Sequence, residues 1–383
     1  MKIFSLFLLL FLLTGCTSGE QAEGISTEPV TEATMVATLP PETEPPVTEA
    51  PDPIGDRIAD MSLEERGGQL FLARCNEEAA ISDIEAYHLG GFDLFGADFE
   101  DETPDSVREK LSAYQSAAKI PLLIAVDEEG GTVNRVSRYA AFRSAPFPSP
   151  RQAWEEGGLV RALEYEDEKC QLLLSLGINV NLGPVCDITT DPNAFLYQRS
   201  LGPDAQTTAS FVSGTVMLMN AYGIGSALKH FPGYGNNTDT HTGIAVDSRT
   251  LEELEASDLI PFAAGINADC GAVLVSHTIV EALDEEYPAS LSPAVHTYLR
   301  EEMGFDGVIL TDDLVMQAIT DRYGAGEAAV LAVLAGNDLL CATDYATQYE
   351  AVLAAVLEGR IDIDVLNSAV RKVLEWKQAL GLI

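Results

Sequence analysis

Leu122-Leu123-Ile124-Ala125-Val126-Asp127-Glu128-Glu129-Gly130-Gly131 decides the fold. An unbroken apolar run leads directly into three carboxylates and a pair of glycines. A continuous apolar run fits a strand covered on both faces, the condition of a parallel sheet. The carboxylates and glycines that follow fit a strand end opening onto solvent.

Working outward, similar strand-like runs occur at Gln69–Ala73, Gly91–Phe95, Ile178–Leu182, Ile224–Leu228, Ala272–Ser276, Val308–Thr311 and Asp338–Cys341. Helix signals fall between them. Ser62-Leu63-Glu64-Glu65 and Thr250-Leu251-Glu252-Glu253 read as capping boxes. Ser292-Pro293 reads as a helix start, with Gly304 closing that helix. Eight such βα units in roughly 330 residues predict a (β/α)8 TIM-type barrel forming a single catalytic domain. A doubly wound open sheet is the competing architecture. No repeat of about 40 residues is visible, which argues against a solenoid. After the eighth run only the helical stretch Tyr349–Ile383 remains.

The N-terminal stretch has a different character. Met1-Lys2 and the apolar run Ile3 to Leu13 read as a signal-peptide core too short to span a bilayer comfortably. Leu13-Thr14-Gly15-Cys16 resembles a bacterial lipobox, which implies that Cys16 is lipidated and begins the mature chain. Residues 17–53 are rich in Thr, Glu and Pro, with no Lys or Arg until Arg57. Such a composition cannot offset its chain entropy by burial and reads as a disordered tether. At about 3 Å per residue it reaches up to roughly 100 Å. The expected organisation is therefore a signal peptide over 1–16, a tether over 17–53 and the barrel over 54–383. No later segment is long and apolar enough for a membrane span, so the expected location is the outer face of the cytoplasmic membrane, held by the Cys16 lipid alone.

The chain carries 383 residues, 46% of them hydrophobic, and a formal charge of −38. A surface that acidic repels phosphate backbones, so nucleic acid is not an expected partner. Apart from Cys16, the cysteines are Cys75, Cys170, Cys186, Cys270 and Cys341, an odd number without C-x-x-C spacing. That pattern fits buried, reduced thiols better than a disulfide framework or a zinc ribbon.

In a barrel, chemistry belongs at the C-terminal strand ends, and polar residues gather there. The third run leads to Asp127, Glu128 and Glu129, the fourth to Asp187 and further on to Arg199, and the fifth to Lys229-His230. The sixth leads to His277 and the seventh to Asp312-Asp313. Each alone could be a helix cap or a satisfied core group; their joint occurrence points to a site. In Lys229-His230-Phe231-Pro232-Gly233-Tyr234-Gly235-Asn236-Asn237-Thr238-Asp239-Thr240-His241, the Asp239/His241 pair offers an imidazole oriented by a carboxylate, suited to acid/base work. Asp312, on a rigid strand end, suits a nucleophile.

These motifs, with Arg199-Ser200-Leu201-Gly202, Gly304-Phe305-Asp306-Gly307-Val308-Ile309 and Thr311-Asp312-Asp313-Leu314, resemble glycoside hydrolase family 3, in its β-N-acetylglucosaminidase branch. The resemblance runs from about Ser62 to the C-terminus. It implies a (β/α)8 catalytic domain and a retaining, exo-acting hydrolase that removes terminal β-linked GlcNAc; with the surface anchor it points to peptidoglycan fragments as substrate, chitin oligosaccharides or other β-linked amino sugars being the alternatives. It further implies Asp312 as nucleophile and His241 as acid/base oriented by Asp239. Asp127, Arg135, Arg199, Lys229 and His230 would bind the sugar, and His277 would line the same face. No cofactor and no metal are implied. The partner is a β-linked amino-sugar oligosaccharide or muropeptide. Four positions depart from the family pattern: Tyr234 stands where histidine is usual, Thr240 for serine, Thr132 for arginine and Glu128 for glutamine.

Three other readings compete. A phosphorylase would use the same site with phosphate as acceptor. A metal-dependent hydrolase would use His230, Asp239 and His241, but that loop lacks the helical i, i+4 histidine pair. A non-catalytic sugar-binding lipoprotein would have no need of Asp239, His241 and Asp312 together.

Overall fold

The computed structural model describes residues 51–202, 204–235, 237 and 243–383. Cys16 with the signal peptide, nearly all of the tether, Asp239, Thr240 and His241 therefore lie outside the described residues.

Eight strands are found where the apolar runs stand: β1 Phe71–Arg74, β2 Gly91–Leu94, β3 Leu123–Val126 and β4 Val180–Asn181. They continue as β5 Gly225–Phe231, β6 Ala272–Val275, β7 Val308–Thr311 and β8 Leu340–Ala342. All pair in parallel in chain order, and β8 returns to β1 through Phe71↔Leu340 and Leu72↔Cys341. Between β7 and β8 the ring closes by the bridge Leu310↔Leu339, with Thr311 N–H donating to the Leu339 carbonyl at 3.2 Å. The architecture is a (β/α)8 barrel, not an open doubly wound sheet.

Helices form where the caps predict. Ser62 and Glu65 exchange the two bonds of a capping box, as do Thr250 and Glu253. Ser292 caps the helix opening at Pro293. The long helical segment Pro150–Leu176 is broken at Gly157–Gly158, where Gly158 takes a φ of 66°.

Leu72, Leu123, Ala125, Leu182, Leu274 and Leu310 fill the barrel interior, joined by Val373 and Trp376 of the C-terminal helix Ile363–Ala379. Trp376 plugs the N-terminal end of the ring. A Cβ on Gly271, just before β6, would lie 2.1 Å from the Trp376 indole nitrogen, so only glycine admits the plug. With that end closed, the opposite strand ends form the open face.

Among the described residues, the five cysteines are unpaired and all but Cys75 are buried. Burial pushes the Cys170 and Cys270 thiols up to about 12, which makes them inert packing groups. No helix of the described residues is long and apolar enough to cross a membrane.

Candidate active site

A cavity of about 650 Å³ opens at the C-terminal strand ends. Asp127, Arg135, Arg199, Lys229, His230 and Asp312 all line it, so the described members of the expected site converge.

The loop after β3 builds one wall. The buried carboxylate of Glu128 accepts from the backbone N–H groups of Arg135 at 2.9 Å, Val136 at 2.7 Å and Ser137 at 3.3 Å, and from the Ser137 hydroxyl. Those bonds curl the loop so that Arg135 turns back to Asp127, donating to its Oδ2 at 3.3 Å. Glu128 thus shapes the wall and does not face the cavity, which accounts for one departure from the family pattern. Gly130, at φ 103°, makes the turn; a Cβ there would meet the Pro148 carbonyl oxygen at 2.1 Å.

Lys229 is buried on β5, and its ammonium bonds both Asp127 Oδ1 and Glu129 Oε1, the latter at 2.7 Å. Arg199 forks onto the same Glu129 carboxylate at 2.7 and 2.8 Å. Burial pushes the Lys229 pKa down, but Asp127 and Glu129 outweigh it and hold the ammonium above its ordinary value. Burial likewise opposes ionisation of Glu129, yet Arg199 and Lys229 hold it well below the usual carboxylate range. Asp127 is lowered in the same sense, mainly by Lys229 acting against burial. The wall is a set of fixed charges in defined ionisation states.

His230 is fixed through both ring nitrogens. Its Nε2 lies 3.1 Å from Arg199 Nη2 and its Nδ1 lies 2.7 Å from Asp187 Oδ2. A guanidinium only donates, so Nε2 accepts and Nδ1 carries the hydrogen given to Asp187. Asp187 is itself held by the backbone N–H groups of His230 at 3.0 Å and Tyr234 at 2.8 Å. The buried ring of Tyr234 stands edge-on to His230, with centroids 5.4 Å apart, and to Phe195 at 5.2 Å. Tyr234 is therefore a packing wall for the imidazole.

Asp312 follows β7. Its N–H donates to the Val275 carbonyl of β6 at 3.0 Å, and its Oδ1 accepts from the Asp313 N–H at 2.9 Å. Asp312 is half-buried and lines the cavity, and among the described residues it makes no ion pair with a lysine or arginine. Asp313 is engaged elsewhere, accepting from Thr343 and from the Val315 N–H. His277, expected on the cavity face, is buried: Nδ1 bonds the Ser290 hydroxyl at 2.7 Å and Nε2 the Asp313 carbonyl at 2.9 Å. It braces the segment after Asp312 and is not a lining residue.

The far root of the Lys229–His241 segment is also fastened. Arg249 bonds both Asp247 oxygens, Asp258 Oδ2 at 2.6 Å and the Gly233 carbonyl at 3.3 Å. Val246–Asp247 pairs in parallel with Ile279–Val280. Among the described residues no group of three or more His, Cys, Asp or Glu side chains is arranged to hold a metal ion.

Sequence reading passed over Glu129 as a site member, although it is quoted within the motif, because adjacent carboxylates do not reveal which one turns inward. It also passed over Asp93, which stands inside an apolar strand and lines the cavity. Alternation within Gly91–Leu94 was the available signal.

The profile of the glycosyl hydrolase family 3 N-terminal domain matches residues 62–376. The chain belongs to glycoside hydrolase family 3. Among curated proteins, it is 29% identical over 379 residues to β-hexosaminidase LpqI of Mycobacterium tuberculosis, covering 96% of this chain and 94% of that protein. It is 34% identical over 298 residues to the β-hexosaminidase of Xanthomonas campestris pv. campestris (strain B100), covering 76% and 87% respectively. Among solved structures, the family 3 β-N-acetylglucosaminidase of Paenibacillus sp. str. FPU-7 superposes with a TM-score of 0.78 at 33% identity. That alignment covers 84% of this chain, which spans 63% of the Paenibacillus chain. This family 3 chain is a glycoside hydrolase, and the Asp127–Lys229–Glu129–Arg199 network stands at its strand-end cavity.

Proposed function

We propose that this family 3 chain is a retaining exo-β-N-acetylglucosaminidase that removes terminal GlcNAc from peptidoglycan fragments. The observation that carries the reading is Asp312. It is a carboxylate at a rigid strand end, facing a cavity closed below by the barrel core, beside a wall of charged donors and acceptors. The β-hexosaminidase names of LpqI and of the Xanthomonas protein support the amino-sugar assignment.

The chemistry runs in two displacements. Asp312 attacks the anomeric carbon while His241, oriented by Asp239, protonates the departing glycosidic oxygen. Water then attacks the glycosyl–Asp312 ester, giving its proton to His241, and the two inversions leave the β-anomer. Asp127 accepts from sugar hydroxyls, while Arg135, Arg199, Lys229 and His230 donate to the sugar or hold the groups that do.

Location is part of the proposal. Residues 1–16 direct export, Cys16 carries the lipid, and residues 17–53 hold the barrel away from the membrane. Cys16→Ala should release the protein into the medium; a variant that stays membrane-bound would contradict the anchor.

The functional test is a panel of chromogenic β-glycosides of GlcNAc, GalNAc, glucose and xylose, with and without phosphate. Preference for the GlcNAc glycoside with free sugar as product is expected. Preference for another sugar, or sugar 1-phosphate as product, would overturn the reading.

A further inference from the structure

Asp93 is the one acidic residue of β2, and its side chain enters the cavity. The register sets its position: it stands beside Arg74 of β1 and Ala125 of β3, one inward-facing step below Asp127. Leu182, Leu274 and Cys341 share this part of the lining, so the surroundings are largely apolar. The residue is 3% exposed, and among the described residues its Oδ1 has no hydrogen-bond partner. A buried carboxyl oxygen left unmet inside a cavity is rare in a folded protein and calls for a partner that arrives from outside.

The charges around it decide which protonation state that partner meets. Asp127 after β3 and Asp313 after β7 face it as like charges, and Arg135 and Lys229 face it as cations. Both cations are already bonded to Asp127, and Lys229 to Glu129 as well. Asp127 takes the ionised role, while among the described residues Asp93 makes no ion pair. Burial and the Asp127 charge push its pKa well above the ordinary carboxylate value. A carboxylic acid that keeps its proton presents one O–H donor and one carbonyl acceptor. A sugar hydroxyl, which both gives and takes a hydrogen bond, complements both of its atoms at once.

We propose that Asp93 is a substrate-binding residue that recognises one hydroxyl of the terminal sugar within the cavity. The proposal rests on the pyranoside-binding part of the reading above, and it adds a specificity element distinct from the charged wall. Asp127 reads hydroxyls as an acceptor; Asp93 reads one as donor and acceptor together.

The test is calorimetric binding of GlcNAc, glucose and the 3-, 4- and 6-deoxy analogues of GlcNAc to wild type, Asp93→Asn and Asp93→Leu. Asp93→Leu should weaken GlcNAc binding about 10- to 100-fold. One deoxy analogue should bind wild type weakly and lose almost nothing further in Asp93→Leu, which identifies the hydroxyl. Asp93→Asn keeps a donor and an acceptor and should stay within a few-fold of wild type. Wild-type binding should also weaken at alkaline pH more than that of Asp93→Asn. Equal loss on every analogue would mark a structural lesion and overturn the proposal, as would an Asn variant as weak as the Leu variant or no loss in either. Binding is read without turnover, so hydrolysis of a GlcNAc glycoside by wild type judges the proposed function separately. A wild type that binds glucose through Asp93 but does not cleave GlcNAc glycosides would sink that function and leave this inference standing. No binding of any sugar to wild type would sink both.

Discussion

Lys229 Nζ lies 2.7 Å from Glu129 Oε1, and the same Glu129 oxygen lies 2.7 Å from Arg199 Nη2. One carboxylate oxygen therefore ties a barrel strand to the segment that carries Arg199. Removing its charge leaves Lys229 with Asp127 alone and takes from Arg199 the carboxylate it forks onto. Glu129→Gln should lower kcat/KM by about 10- to 100-fold and lower stability by about 3 kcal/mol. The sign with pH follows from its depressed pKa. Below the ordinary value near 4.5 the unfolded chain takes up this proton before the folded protein does, so the contribution is present at neutral pH and lost on acidification. Acid unfolding of Glu129→Gln should be less steep than that of wild type; identical slopes would refute the pairing.

The Arg199–His230–Asp187 chain fixes an imidazole tautomer. Nitrogen-15 spectra should show His230 with a protonated Nδ1 and a bare Nε2. Asp187→Asn should scramble that tautomer and reduce kcat/KM by about 10-fold or more. A hydrogen on Nε2 in wild type would contradict the geometry.

Arg249 holds two buried carboxylates and the Gly233 carbonyl at the roots of the segment carrying Asp239 and His241. Arg249→Met leaves Asp247 and Asp258 without their cation and should cost about 3–5 kcal/mol of stability. If His241 supplies the proton, the kinetic loss should depend on the leaving group. Hydrolysis of an alkyl or disaccharide glycoside should fall at least about 10-fold further than that of a dinitrophenyl glycoside, which departs without protonation. Equal losses on both would remove Arg249 from any part in acid catalysis.

Lys377 provides a stability test remote from the site. It is buried in the C-terminal helix, donates to Gln69 Oε1 at 2.7 Å, and is lowered by burial from 10.5 to about 7. Between those values the unfolded chain holds a proton that the folded protein has released, so this group makes stability rise with pH across that window. Wild type should gain about 2 kcal/mol more than Lys377→Met between pH 7.5 and 9.5 in chemical unfolding. Parallel curves would show that Lys377 is charged in the folded state.

Much of the barrel was legible because strands covered on both faces write themselves as apolar runs, as in Leu123–Val126. The reading failed where charge entered a strand. Ile224–Leu228 was expected to end before Lys229, yet β5 continues to Phe231 because Asp127 and Glu129 neutralise the lysine inside the sheet. Val246–Asp247 and Ile279–Val280 were not foreseen, since two-residue strands carry no period. At the site, Asp127, Lys229, His230 and Asp312 were legible at the ends of apolar runs, and Arg135 and Arg199 through the motif resemblance. His277 carried the same strand-end signature, yet it turns to Ser290 and Asp313, partners that only the fold brings near.

Asp312 is the residue expected to become glycosylated during turnover. The direct measurement is incubation with a 5-fluoro-GlcNAc glycosyl fluoride, whose fluoride leaves without acid help while the ring fluorine slows both displacements. Peptide mass spectrometry then locates the trapped sugar. One GlcNAc-derived ester on Asp312 is predicted. Trapping on another residue such as Asp313, or no adduct in an enzyme that still turns over GlcNAc glycosides, would contradict the account.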